Sequence, residues 1–271
     1  MLFKALRSSF FWPMMLMPRR ERRAILAVYG YCRALDDAVD DAPPAEGRAT
    51  LKGWRWALPH LPDYRGPDPL RRALAAALRD FALPPAELAA VIDGMAMDLD
   101  GMVAPDRETL RLYCRRVAGS VGLLTVRILG RGDGAADDFA LASGEALQLA
   151  NILRDVAEDA GRGRIYLPRE VLAAAGVPAD PATLLDRPGL PRAREALAAM
   201  ALERFDAAER ALERCGRERL WPAVAMLRLY RRLLDRTLAA QARGRLAKPR
   251  LGLAEGLALT LGCAAGRPPG R

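Results

Sequence analysis

A chain of 271 residues that is 51% hydrophobic and 6% aromatic has enough apolar content for one large core. Ala, Leu and Arg dominate and no period-two runs of Val, Ile or Thr occur, which predicts an all-α protein forming a single domain over 1–271. The formal charge of +9 comes from dispersed arginines without interleaved aromatics, so no nucleic acid partner is expected and an anionic ligand or membrane surface suits it better. Cys32, Cys114, Cys215 and Cys263 and the lone histidine, His60, lack metal-ligand spacing, which excludes a zinc or histidine-based site.

At the N-terminus Lys4 and Arg7 precede a short apolar run, but Arg19, Arg20, Arg22 and Arg23 follow with no small-residue cleavage site. No stretch reaches the roughly 18 to 20 apolar residues that a bilayer span requires. The expectation is a cytoplasmic protein, peripheral at the inner face of the membrane. Residues 7–18, RSSFFWPMMLMP, read as a capped helix start at Pro18. A competing reading has Arg7, Ser8 and Ser9 binding an anion at a cavity mouth.

A long helix is predicted over 19–41, stopped by Ala42-Pro43-Pro44. Asp36 and Asp40 share one face, Asp37 and Asp41 a second, and Arg33 and Tyr29 continue the Asp36 face backwards. Four carboxylates in six residues suit a solvated helix end or a site for divalent metal. Residues 43–69, rich in Pro and Gly with two tryptophans, are expected as a surface loop or short helix. Helices over 69–82 and 85–102 follow, the second carrying Asp93, Asp98 and Asp100 beside Met95 and Met97, which read as core filler. Asp106 caps a helix over 107–129 that ends at Gly130. Within it, Ala118-Gly119-Ser120-Val121-Gly122 either permits close helix packing or opens a channel for a chain-like ligand. Gly130 to Gly134 lacks the strand and spacing of a nucleotide-binding loop.

The most informative stretch is 148–168, QLANILRDVAEDAGRGRIYLP. At about 100° per residue, Gln148, Asn151, Asp155, Asp159 and Arg162 share one face, flanked by Leu147, Leu149, Ile152, Leu153 and Val156. A helix with apolar flanks and an acidic stripe needs a partner for its carboxylates. Helices over 191–215 and 220–243 read as the outer layer of a bundle, with Tyr230 assigned by default to core packing. In the C-terminal segment 243–271, Arg243, Arg245, Lys248 and Arg250 precede about fourteen mostly apolar residues, too few to span a bilayer. A membrane-contacting or final packed helix is expected there.

Two acidic faces without histidine or cysteine ligands are best explained together. Carboxylates are hard donors, and Mg²⁺ prefers a few of them plus waters and substrate phosphates. Two such helices would grip a diphosphate through Mg²⁺. Metal and arginines would then neutralise a departing diphosphate while an apolar cavity keeps water from an allylic cation.

The segments YGYCRALDDAVDD, YCRRVAGSVG and QLANILRDVAEDAGRGRIYLP resemble the three signatures of the squalene/phytoene synthase family, head-to-head trans-isoprenyl diphosphate synthases. The resemblance runs from about Ser8 to Arg250, and the RIYLP continuation separates this family from other Mg²⁺-dependent prenyl enzymes. It implies an isoprenoid synthase helical bundle around a central cavity. Asp36 and Asp40, with Asp37 adjacent, match the first metal-binding motif. Asp155 and Asp159 match the second, preceded by Gln148 and Asn151, of which Asn151 counts among the metal ligands. Arg33, Arg154, Arg164, Ser8 and Ser9 match positions that contact diphosphate or support metal, and Tyr29, Tyr166 and Tyr230 match cavity tyrosines. Asp36, Asp40, Asp155, Asp159, Arg33 and Tyr166 carry the catalysis on this reading. Arg115 stands where many members have a second aromatic.

SSFFWPMMLMP and VAGSVGLLTVRILG look most similar to the bacterial hopanoid-pathway presqualene diphosphate synthase branch. That branch implies condensation of two farnesyl diphosphates with Mg²⁺, for which Mn²⁺ can substitute, and no NADPH. Downstream pathway enzymes are the expected protein partners. The alternatives are a phytoene synthase using geranylgeranyl diphosphate, a full squalene synthase using NADPH, and a non-catalytic helical protein that binds membranes or a partner.

Overall fold

Proline and aspartate mark where the helices of the computed structural model begin; it describes residues 11–246 and 248–266. Ser8 and Ser9, proposed above as anion contacts, lie outside the described residues. In chain order the helices are α1 (Phe11–Met15), α2 (Arg19–Asp40), α3 (Pro44–Ala57), α4 (Pro69–Asp80), α5 (Pro85–Leu99), α6 (Arg107–Cys114), α7 (Ser120–Ile128), α8 (Gly134–Gly161), α9 (Arg169–Ala174), α10 (Leu190–Cys215), α11 (Trp221–Ala242) and α12 (Leu253–Ala264). Pro44, Pro69 and Pro85 each open a helix, where a missing N–H costs nothing. The Asp106 carboxylate accepts from Thr109 N at 2.7 Å, and that of Asp133 accepts from Ala136 N at 3.0 Å. Each satisfies a backbone donor that the first helical turn leaves open.

The bundle is all-α, with no strand among the described residues. Its one extended pairing there is a parallel bridge between Val103 and Ile165, in which Ala104 N donates to Ile165 O and Ile165 N to Met102 O. Tyr31, Leu35, Leu74, Phe139, Leu149 and Phe205 are among the side chains fully enclosed by the core.

Three sequence expectations are corrected. Residues 44–57 form a full helix, because Trp54 and Leu51 enter the core and Trp54 meets Tyr31 edge-on at 5.0 Å, while Trp56 remains exposed. The helix expected over 107–129 is divided by a wider helical turn at Arg115–Gly119. There the chain passes so close to α8 that a Cβ on Gly144 would lie 2.7 Å from Gly119 N and 2.8 Å from Ala118 O. Helix α11 is no outer layer, since it packs between α8 and α12 and buries Val224, Leu227, Leu229, Tyr230, Leu233 and Leu234, whereas α10 takes the expected outer position, burying Leu197 and Phe205 against α8 and exposing its opposite face.

Candidate active site

Helices α2, α5, α7, α8 and α11 surround a cavity of about 580 Å³. Its interior is apolar, with Met14, Met17, Val121, Phe139, Met226 and Leu227 in the wall. The small residues Ala118, Gly122 and Gly144 also line it, so the segment at 118–122 both packs closely and shapes the cavity.

The polar end is built from α2, α8 and the segments leaving α8 and α11. Asp36, Asp40, Gln148, Asn151, Asp155 and Asp159 all reach the cavity, as do Tyr29, Arg33, Arg154, Arg164 and Tyr166. The geometry thus gathers these sequence-predicted residues around one space. Two others sit elsewhere. Asp37 lies off the cavity wall, about 100° around α2 from Asp36, and takes Arg33 Nη2 at 2.6 Å. Tyr230 is buried behind the wall in hydrogen-bonding contact with Asn151 and Arg154, so it supports two site residues without lining the cavity.

Asp36, Asp40 and Asp155 each have a basic partner. Arg33 Nη1 donates to Asp36 at 2.6 Å, and Arg164 Nη1 donates to Asp40 at 2.7 Å, joined there by Arg162. Arg162, which caps the end of α8, lines the cavity with the rest of the polar stripe and reaches the α2 carboxylate. Arg154 grips Asp155 with two parallel bonds of 2.9 and 2.6 Å. Lys248, from the segment after α11, places its ammonium 2.9 Å from the same carboxylate and also donates to Glu158.

These neighbours set the acidities. Burial would raise Asp155, yet the Arg154 hydrogen bonds and charge, with Lys248, hold it below the usual carboxylate range. Asp159 lacks such a clamp, and burial together with the charges of Asp155 and Glu158 pushes it up to about 7. Burial and the nearby Asp40 and Asp37 charges also raise Asp36 against the pull of Arg33.

Sequence reasoning missed Asp98 and Lys248. Asp98, on the last turn of α5, is 7% exposed; it accepts from Tyr166 Oη at 2.6 Å and Tyr113 Oη at 3.1 Å. The two rings stack with centroids 5.1 Å apart. Burial pushes the Asp98 carboxyl up to about 6 despite both donors. Arg115, in the position of the usual second aromatic, turns to α5 and pairs with Glu87 through two bonds of 2.8 and 2.9 Å. No periodicity within one helix links Asp98 to Tyr166, 68 residues away.

Among the described residues no three His, Cys, Asp or Glu side chains are grouped tightly enough to hold an ion alone. The donor set nevertheless fits a hard divalent cation. Asn151 Oδ1 is buried without a hydrogen-bond partner, and Asp159 is crowded by negative charge, so a cation would satisfy both.

The profile of the squalene/phytoene synthase family matches residues 3–253. The chain belongs to that family. A presqualene diphosphate synthase of Rhodopseudomonas palustris is 41% identical over 261 residues, which cover 95% of this chain and 93% of that one. A presqualene diphosphate synthase of Sinorhizobium fredii is 41% identical over 237 residues, covering 85% and 84%. The solved structure of a dehydrosqualene synthase in complex with ligand superposes with a TM-score of 0.81 at 26% identity, covering 98% of this chain and 93% of the other. As a squalene/phytoene synthase family member with an isoprenoid synthase bundle, this chain is a prenyl-transferring enzyme.

Proposed function

We propose that this enzyme condenses two farnesyl diphosphates head to head into presqualene diphosphate, releasing one diphosphate. The observation that carries the reading is the cavity itself, in which an apolar interior of about 580 Å³ opens onto a rim of alternating carboxylates and arginines. The near full-length likeness to presqualene diphosphate synthases supports the choice of product.

In this reading Arg33, Arg154, Arg162, Arg164 and Lys248 supply positive charge to the diphosphates, worth most where water is excluded. Asp36, Asp40, Asn151, Asp155 and Asp159 would hold Mg²⁺, or Mn²⁺ in its place, which when bound neutralises the departing diphosphate as a Lewis acid. The allylic C1–O bond of one substrate breaks, its electron pair leaves with the diphosphate, and the 2,3-alkene of the other attacks C1. Proton loss closes the cyclopropane. The apolar wall keeps water from intercepting the cation, and Asp98 holds Tyr166 and Tyr113 in fixed orientation at the edge of the cavity.

The test is incubation of the purified protein with Mg²⁺ and either farnesyl or geranylgeranyl diphosphate, followed by product identification. Presqualene diphosphate without NADPH is expected. A C40 hydrocarbon from geranylgeranyl diphosphate alone would replace this reading with phytoene synthesis, and squalene on adding NADPH would extend it. Asp36→Asn and Asp155→Asn should each lower turnover by about a hundredfold or more; unchanged turnover in both would sink the metal assignment.

A further inference from the structure

Helix α12 carries one ionisable group besides its thiol, Glu255, and that carboxylate faces inward, 2.7 Å from Arg236 and 3.4 Å from Arg232 of α11. Gly256, Thr260 and Cys263 are buried on the same side, with Trp12 of α1 seated against Gly256. What α12 turns outward is therefore uncharged: Leu253, Ala254, Leu257, Ala258 and Leu261, at helical spacing. Leu253 is 64% exposed and Leu261 50% exposed, which is unusual for leucines neighbouring on one helix face.

Basic groups flank this face at both ends. Before the helix stand the exposed Arg243, Arg245 and Arg250. At its far end Arg217, Arg219 and Arg228 line a second cavity of about 230 Å³ with Trp221, Cys263 and Ala264, and the described lining includes no carboxylate. At 12 residues the helix is too short to cross a bilayer, and no helix among the described residues is long and apolar enough to do so.

We infer that the outer face of α12 is a docking surface for an anionic phospholipid bilayer, its leucines entering the interface while the flanking arginines meet the headgroups. An uncharged helix face between basic ends matches such a surface in both polarity and charge. The helix rests on α1 and α11, which also wall the apolar part of the main cavity, so docking would bring that wall to the lipid. The inference does not depend on which prenyl diphosphate the enzyme uses.

The experiment is cosedimentation of the full chain, without substrate, with vesicles of phosphatidylcholine alone or mixed with phosphatidylglycerol. Binding to the mixed vesicles that weakens with salt is expected. The double variant Leu253→Asp/Leu261→Asp should lose about tenfold or more in partitioning while keeping its helical circular dichroism and melting transition. Arg217→Gln/Arg219→Gln should weaken binding to the mixed vesicles only. Absence of binding by the parent protein, or equal binding by the leucine variant, overturns the inference. So does a lipid-free dimer that the leucine substitutions convert to monomer, which would assign the face to a second copy of this chain.

Discussion

Asp98→Asn removes one buried charge while keeping the side chain's size, and its effect on stability follows from the site. The Asp98 carboxyl is 7% exposed and pushed up to about 6 by burial, against an ordinary value of 3.8. An acid that holds its proton more tightly in the fold than in the unfolded chain contributes most at low pH, and that contribution is lost as pH rises through the folded value. Between about pH 5 and about pH 8 the loss from this one group is roughly 1 to 2 kcal/mol. Asp36 and Asp159 are raised as well and act in the same direction, so the difference between parent and variant reports Asp98 together with its smaller push on Asp159. Urea unfolding across that pH range should give the parent a steeper decline than the variant by this amount. Parallel curves would refute the assignment of a raised acidity to Asp98. Turnover of the variant should fall too, because Tyr166 and Tyr113 lose a charged acceptor that fixes their hydroxyls.

Other outcomes follow from the same geometry. Gly144→Ala sets a methyl group against the backbone of Ala118 and Gly119, which cannot yield as a side chain would, and should cost roughly 1 to 3 kcal/mol in thermal or urea unfolding. Lys248→Met removes an ammonium from Asp155, so Mn²⁺ binding without substrate, followed by electron paramagnetic resonance, should tighten several-fold; unchanged or weaker binding would show that Lys248 does not compete with the metal. Asp159, pushed up to about 7, is about half protonated at about pH 7, and a bound cation favours its ionised form. Titration calorimetry of Mg²⁺ in buffers of different ionisation heat should therefore report proton release that Asp159→Asn lacks.

The architecture was legible wherever one helix carried the whole signal. Asp36 with Asp40, and Asp155 with Asp159, are four residues apart, so periodicity alone placed each pair on one face, and both pairs reach the cavity. What joins separate elements was not legible. The partners of Asp40 are Arg162 and Arg164, more than 120 residues away, and no spacing within one helix pairs them. Asp98 is one of three acids on a helix whose methionines read as core filler, and only the fold brings Tyr166 and Tyr113 to it. The prolines and glycines of 43–69 suggest a surface loop or short helix, although a proline at a first helical position is compatible with the longer, core-packed helix that forms. The turn dividing α6 from α7 is set by the approach of Gly144, from another helix, which no local pattern encodes.

The short bridge at Val103 and Ile165 makes the exit from α8 a reading frame. Over these residues the chain is extended, so neighbouring side chains alternate in direction: Arg164 and Tyr166 face the cavity while Ile165 is buried in the core. Replacing a residue here alters one contact, whereas inserting or deleting one exchanges the two directions, sending an isoleucine toward the diphosphate end and two polar groups into hydrocarbon. Length at this point should therefore be less negotiable than identity, and a lineage could retune Arg164 or Tyr166 by substitution but not shift them by a single step.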